Sequence, residues 1–351
     1  MGNDQQKNEI NMIIKINEND INKKIYFLDD IDKEKNPNPH IEYKSEHNNL
    51  KEMNKKNTNL YINDIEEKYD KFFVFEKPGN YRIKLVFKKL IKNCSFMFYN
   101  CINLINIDMS NFNSSKITNM DRMFCGCENL IELNLTNFDT KNVITMRSIF
   151  YDCKKLTNID LSSFNTENVK DMRCMFSGAE NLQKINLSNF NTKNVTNMRQ
   201  MFWYCKNLET IDLSKFNTSK VTIMESMFSG CENLHFINLT SFDTKNVNDI
   251  SQIFWDCKKL LKVDLSSFDT SNFTDMNSMF NNCESLIYID LSNFKFEKAT
   301  DISFMFKGCI NLCYISLPIE EIKNHENIET SHMFLGCVNL INIDDIRIDT
   351  N

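Results

Sequence analysis

A phenylalanine recurs every 26 residues, at Phe98, Phe124, Phe150, Phe176, Phe202, Phe228, Phe254, Phe280 and Phe306, and Phe334 follows after 28. Three residues behind each stands a cysteine (Cys101, Cys127, Cys153, Cys205, Cys231, Cys257, Cys283, Cys309, Cys337), with Ala179 as the exception. Leucine comes three residues later, at Leu104, Leu130, Leu156 and their successors. Self-similarity at a fixed period of this length is the mark of a solenoid or array. One coil buries too few apolar side chains to offset the entropy of ordering its 26 residues, so coils must cover one another.

Within the coil that starts at Val143, the residues Val143, Met146, Ile149, Phe150 and Cys153 have the spacing of one helix face. Thr145 stands where an N-cap belongs, and Asp171, Asp249 and Asp275 replace it in later coils. Most of the chain's seven glycines sit two residues after the phenylalanine (Gly126, Gly178, Gly230, Gly308, Gly336), a position that suits a tight helix end. Leu156, Ile159 and Leu161 then predict a short strand, closed by Phe164. The predicted fold is α/β, a curved leucine-rich-repeat-like solenoid of about nine 26-residue coils. Parallel strands stack ~4.8 Å apart and packed helices need ~8–10 Å, which places the strands on the concave face.

The pattern C-x-x-L-x-x-I-D-L-S-x-F-(N/D)-T-x-N-V-x-x-M-x-x-M-F resembles the 26-residue-repeat bacterial surface proteins, the BspA-type leucine-rich-repeat-like proteins, over roughly residues 94–351. The resemblance implies a leucine-rich-repeat-like solenoid displayed on a cell surface for adhesion or interaction. The chain departs from that pattern at its ends. "MGNDQQKNEINMIIKI" has no apolar segment behind basic residues, and no sortase-like motif closes "INIDDIRIDTN". Gly2 lacks the Ser or Thr at position 6 that N-myristoylation prefers, with Gln6 there instead. The apolar runs are too short for a bilayer-spanning helix. An absent signal and an odd cysteine count favour the cytoplasm, and the resemblance favours the cell surface.

Alternate coils differ, so the duplicated unit spans 52 residues: "FWYCKNLETIDLSKFNT" from Phe202 has near-copies at Phe150 and Phe254. After the cysteine position, charges alternate through Glu128, Lys154, Glu180, Lys206, Glu232, Lys258 and Glu284. Stacking sets each of these lysines between two glutamates, which disfavours a one-coil slip. Duplication without selection on charge leaves the same pattern. Tyr99, Tyr151, Trp203 and Trp255 form a row separated by Cys125, Ser177 and Ser229. They are read either as a partner surface or as rings packed over those small residues.

The candidate partner-binding face is the polar row between the two core positions of each strand: Asp108, Asn134, Asp160, Asn186, Asp212, Asn238, Asp264 and Asp290, flanked by Ser162, Ser188, Ser214, Ser266 and Ser292. Strand side chains there project together from a rigid scaffold. Such an acidic, hydroxyl-rich strip suits basic peptides, cations or glycans. The competing reading is a solvated ladder of hydrogen bonds between coils.

Neither catalysis nor a cofactor is expected. His40, His47, His235, His325 and His332 are scattered, and no nucleophile elbow, P-loop or dinucleotide fingerprint occurs. Nine of the thirteen cysteines occupy one core rung, where cysteine acts as a small buried hydrophobe. Cys125-Gly-Cys127 and Cys309-x-x-x-Cys313 lack partners at zinc spacing, so no metal is expected. A net charge of −6 argues against nucleic acid.

Residues 1–90 lack the repeat and predict a β-rich N-terminal domain that caps the solenoid of residues 91–351. "NMIIKI" and "KKIYFLD" read as a hairpin, Asp32–His47 as a polar connection and "NNLKEMNKK" as a short helix. "NLYIND", "DKFFVF" and "NYRIKLVF" read as strands, with Tyr81–Phe87 set to pair with the first repeat strand. At the other end, Pro318 and "EEIKNHENIET" interrupt the ninth coil, and the last coil is the candidate for self-association. The functional expectation is a non-catalytic protein-interaction scaffold with a protein or glycan partner. The alternative is a surface adhesin exported without a recognisable signal.

Overall fold

In the computed structural model, which describes residues 8–29 and 50–341, the repeat period becomes a stacking distance. The chain forms two units, Met1–Asn168 and Val169–Asn351. In the first, the Phe98, Phe124 and Phe150 rings stack at centroid distances of 5.5 and 5.7 Å. In the second, the rings from Phe176 to Phe334 stack at 5.4–5.8 Å with interplanar angles of at most 17°. A second row, Phe112, Phe138 and Phe164, runs parallel at 6.1 and 6.2 Å. All these rings are buried, together with the Cys, Leu, Met and Val rows. Each unit is therefore repeat solenoid-like, with coils covering one another as the sequence predicts.

The first unit holds β1 (Glu9–Ile16), β2 (Lys24–Tyr26), β3 (Thr58–Ile62), β4 (Ile65–Glu67), β5 (Phe72–Val74), β6 (Gly79–Phe87), β7 (Leu104–Asp108) and β8 (Glu132–Asn134). Six of them form one sheet in the order β4-β3-β6-β1-β7-β8. β1 alternates fully buried with half-buried or exposed residues, with Ile10, Met12, Ile14 and Ile16 inward, as the period of a strand requires. The predicted partner of the first repeat strand is corrected. β1 lies antiparallel between β6 and β7, so Tyr81–Phe87 pairs with β1 instead. The predicted β1–β2 hairpin also fails, because β2 pairs with β5. The described part of "NNLKEMNKK" is turn, not helix, and Asp32–His47 lies outside the described residues. β7 and β8 then pair in parallel, which starts the repeat register.

The second unit carries β9 (Thr210–Ile211), β10 (Phe236–Ile237) and β11 (Lys262–Val263) in one parallel sheet. β12 (Tyr288–Asp290) and β13 (Tyr314–Ser316) form another. On the other side of the coil, isolated parallel bridges link Asp171, Asn197, Ile223, Asp249, Asp275, Asp301 and Glu329 in sequence.

Among the described residues the predicted helices are absent, and with them the α/β class: the fold is strands and turns with almost no helix. The cause is where the amides point. Met123, Cys125 and Cys127 donate their N–H groups locally, to Met120, Arg122 and Phe124, at 3.1–3.2 Å. The intervening Arg122, Phe124 and Gly126 donate to Arg147, Ile149 and Tyr151 of the next coil at 2.8–3.0 Å. A helix needs every N–H for its own carbonyl four residues back. Here alternate amides serve the next coil, leaving overlapping four-residue turns that mimic helical spacing. The first and last of these turns have φ > 0 at their third residue, Arg122 (54°) and Gly126 (75°), as type II turns do. The glycine position thus marks a turn, and Thr145 and its equivalents start a turn ladder. Because turns repeat by backbone bonding from coil to coil, the wide helix spacing on which the predicted curvature rested is missing. Among the described residues the one α-helix is α1 (Ile319–Lys323), in the irregular coil that follows Pro318.

Candidate functional site

The hydrogen bonds that hold each coil in register decide which side chains face outward. Thr140 is buried, donates its hydroxyl to the Asn165 carbonyl and accepts the Asn165 N–H, both at 2.8 Å. Thr192 does the same with Asn217 at 2.9 and 2.8 Å, and Thr218 with Asp243 at 2.9 and 2.8 Å. A satisfied buried hydroxyl holds two strands of backbone at once. This explains the threonine of the repeated "FNT" and "FDT", which the sequence reading left without a role; its invariance of position was the available signal.

The thiols form a comparable ladder. Cys127 and Cys153 in the first unit point Sγ at the carbonyls of Phe98 and Phe124, at 3.1 and 3.3 Å. In the second, Cys205, Cys231, Cys257, Cys283, Cys309 and Cys337 donate to Phe176, Phe202, Phe228, Phe254, Phe280 and Phe306 at 3.0–3.2 Å. Burial pushes the Cys153 and Cys231 thiols far above their ordinary range, and Cys337 up to about 11. A protonated buried thiol is a poor nucleophile. Among the described residues no group of three or more His, Cys, Asp or Glu side chains is placed to hold a metal.

Lys154, Lys206 and Lys258 each pair with a glutamate of the preceding coil (Glu128, Glu180, Glu232) at 2.9 Å. That hydrogen bond raises the Lys258 ammonium above its usual range, with Glu284 on its far side adding to the effect. Tyr99 is buried against Phe96 and Cys125, with Tyr151 packed on the same cluster. Tyr204 contacts Trp203 at 4.2 Å and Trp255 at 6.2 Å. The aromatic row therefore packs on its own neighbours over small residues.

The candidate row remains. Asn134, Asp160, Asn186, Asp212, Asn238, Asp264 and Asp290 are exposed and Asp108 is half-buried. Each turns Oδ1 back to accept the backbone N–H two residues on, from Ser110, Thr136, Ser162, Ser188, Ser214, Thr240, Ser266 and Ser292, at 2.9–3.1 Å. Asn134 Nδ2 also reaches Asp108 Oδ1 at 2.9 Å. The row is thus a series of capped turns with one carboxylate or amide per coil. The N–H of the following serine, joined by its hydroxyl, holds Asp160, Asp212 and Asp290 below the usual carboxylate range. For Asp264 the hydroxyl of Ser266 leads and its N–H adds. These four carboxylates are ionised at neutral pH.

Two residues before the row lie positions that the sequence reading passed over. In strands β10, β12 and β13 they are Phe236, Tyr288 and Tyr314, which are 48, 46 and 51% exposed. The strand period of two sets them on the same face as the acidic row, which was legible once the strand was accepted. A cleft of ≈ 470 Å³ lies alongside, lined by Thr210, Phe236, Asn238, Lys262 and Asp264 among others.

Comparison with known proteins adds family and little else. No curated protein matches the chain. The leucine-rich-repeat protein of T. pallidum, known from a crystal structure, is 16% identical, covers 74% of this chain and 79% of its own, and superposes with a TM-score of 0.21. The repeat family described as "Mycoplasma protein of unknown function, DUF285" matches in five overlapping stretches, residues 48–185, 92–210, 127–235, 174–286 and 231–344. Those stretches cover most of the chain, which belongs to that family.

Proposed function

We propose that the chain is a non-catalytic interaction scaffold that holds a protein partner on the exposed faces carrying the polar row, Asp108, Asn134 and Asp160 in the first unit and Asn186, Asp212, Asn238, Asp264 and Asp290 in the second. The observation that supports this reading is the in-register stacking, which presents one outward polar group per coil on a hydrogen-bonded backbone. Residues 1–90 act as the N-terminal cap of the stack, since β1 occupies the edge of the first repeat strand. The remainder, residues 91–351, carries about nine 26-residue repeats that stack as solenoid-like coils within each unit. Among the described residues no helix is long and apolar enough to cross a membrane.

The test removes charge without disturbing the fold. Asn186 and Asn238 occupy the row and cap their turns as aspartate does. D212N/D264N/D290N should therefore stay folded, with only a modest fall in unfolding temperature from the lost charges, and lose the partners that quantitative cross-linking in native cells attaches to the wild-type chain. Undiminished cross-linking dismisses the charged row as the contact. A surface adhesin is the second reading, favoured by the similarity of the repeat signature to BspA-type surface proteins. Labelling of intact cells with a membrane-impermeant amine reagent should then mark the chain's lysines.

A further inference from the structure

The outward rows of the second unit change character along the stack. Two positions before the Asp/Asn row, the coils carry Lys184, Thr210, Phe236, Lys262, Tyr288 and Tyr314 in turn. At the neighbouring position, Gln183, Glu209 and His235 give way to Leu261 and Ile287, which are 37 and 53% exposed. The Tyr288 and Tyr314 rings stack at 5.8 Å and 19°, side by side on paired strands and open to solvent. Asp290 lies two residues on from Tyr288 on the same strand face, and Ser316 is its register partner in the next coil. Asp264 stands one coil back on the same face, beyond Lys262.

We propose that this face binds an arginine-bearing extended polypeptide segment, with a guanidinium lying on the Tyr288–Tyr314 stack and pairing with Asp290 and Asp264. The proposal rests on the reading of the strand face as a partner surface and names the chemistry of that partner.

Charge complementarity carries the choice of occupant. Aromatic faces attract a cation by their quadrupole, and the adjacent carboxylates attract the same cation by charge. Arginine serves both better than lysine, because its planar, weakly hydrated guanidinium stacks on a ring while its edge forks onto a carboxylate. An apolar residue beside it in an extended chain meets Leu261 and Ile287. Lys262 fixes the boundary, since its ammonium repels a cation placed towards Phe236 and leaves the Tyr288–Tyr314 end as the seat. The equivalent positions nearer the start of the repeat, Glu132 and Asn158, offer no aromatic platform.

The test uses the full chain and a fluorescein-labelled octapeptide of alternating arginine and valine, with lysine and glutamate counterparts. The arginine peptide should bind measurably at low salt, several-fold tighter than the lysine peptide, and the glutamate peptide should not bind. Y288S/Y314S and, separately, D264N/D290N should each weaken binding at least tenfold while the chain still unfolds in one cooperative transition well above the assay temperature. The second pair guards against a folding defect in the first, because Asn238 already fills the same role. Equal binding of the arginine and glutamate peptides overturns the proposal. Tyrosine variants that bind normally while D108N/D160N weakens binding also overturn it, yet leave the acidic row standing as a partner surface. Indifference to every one of these variants removes both readings. Binding of neutral cellohexaose in place of the peptide, lost in Y288S/Y314S, assigns the platform to glycans and overturns it as well.

Discussion

Position two after each repeat phenylalanine shows how one residue sets the partner of the next coil. Asn100, Gly126, Asp152, Gly178, Tyr204, Gly230, Asp256, Asn282, Gly308 and Gly336 all have φ between 51° and 86° there. Asp152 shows that a side chain tolerates this backbone, so conformational freedom alone does not demand glycine. Space does: a Cβ on Gly126 would lie 1.9 Å from Asn100 Oδ1, and one on Gly230 would lie 2.8 Å from the Tyr204 ring. Asn100, Tyr204 and Asn282 lean over Gly126, Gly230 and Gly308 of the following coils, which suits a glycine after a larger residue, while Gly336 follows Gly308 directly. G126A should lose roughly 1–3 kcal/mol of stability in urea unfolding. N100G/G126A should recover most of it, and a double variant no more stable than G126A would show that backbone strain dominates.

At the scale of the element, the ladder of parallel bridges stacks like charges. Asp249, Asp275 and Asp301 lie on successive bridged coils. Desolvation by partial burial, followed by the neighbouring carboxylates, raises Asp275 above its ordinary range, and Glu225 shifts the same way. A carboxylate whose folded pKa is raised stabilises the fold while protonated, below its unfolded pKa, and that contribution is lost as pH rises through the folded value. Asn197 caps the same turn position by accepting the Arg199 N–H at 2.9 Å. D275N should therefore melt higher than wild type at pH 7, with the gain fading as pH falls towards the usual aspartate range. Equal gains at pH 7 and pH 3 would place the effect outside titration. The strand-face carboxylates Asp160, Asp212, Asp264 and Asp290 have the opposite sign, stabilising above their unfolded pKa and releasing that stability in acid. The same element was the one the sequence misrepresented. Val143, Met146, Ile149, Phe150 and Cys153 are all buried as a helix face would be. Side-chain spacing cannot tell that the amides between them bond to another coil.

For the whole stack, alternation makes two coils the unit of repair. Removal of residues 195–246 brings Lys258 beside Glu180 and keeps a glycine coil next to an aromatic one. Removal of residues 195–220 alone sets Glu180 against Glu232 and Gly178 against Gly230. A shorter array has fewer interfaces and is ordinarily the less stable. Here the longer deletion should be the more stable of the two, by about 1 kcal/mol or more in chemical denaturation, from a kept ion pair and a filled space over glycine. The reverse order would mean that the 52-residue period is only the trace of a duplication.

The sequence by itself determined the period, the Phe, Cys, Leu and Ile rows of the core, the polar row and the short strands of most coils, although none forms over the predicted Leu156–Leu161. Those features depend on which side chains must leave water, and burial is written in residue type and spacing. Only the tertiary structure decided that turns replace helices, that β1 rather than β6 borders the first repeat strand, and that the Tyr288 and Tyr314 rings stack side by side. Those outcomes depend on contacts between residues 25 or more positions apart, whose partners are chosen by stacking and leave no mark in local periodicity.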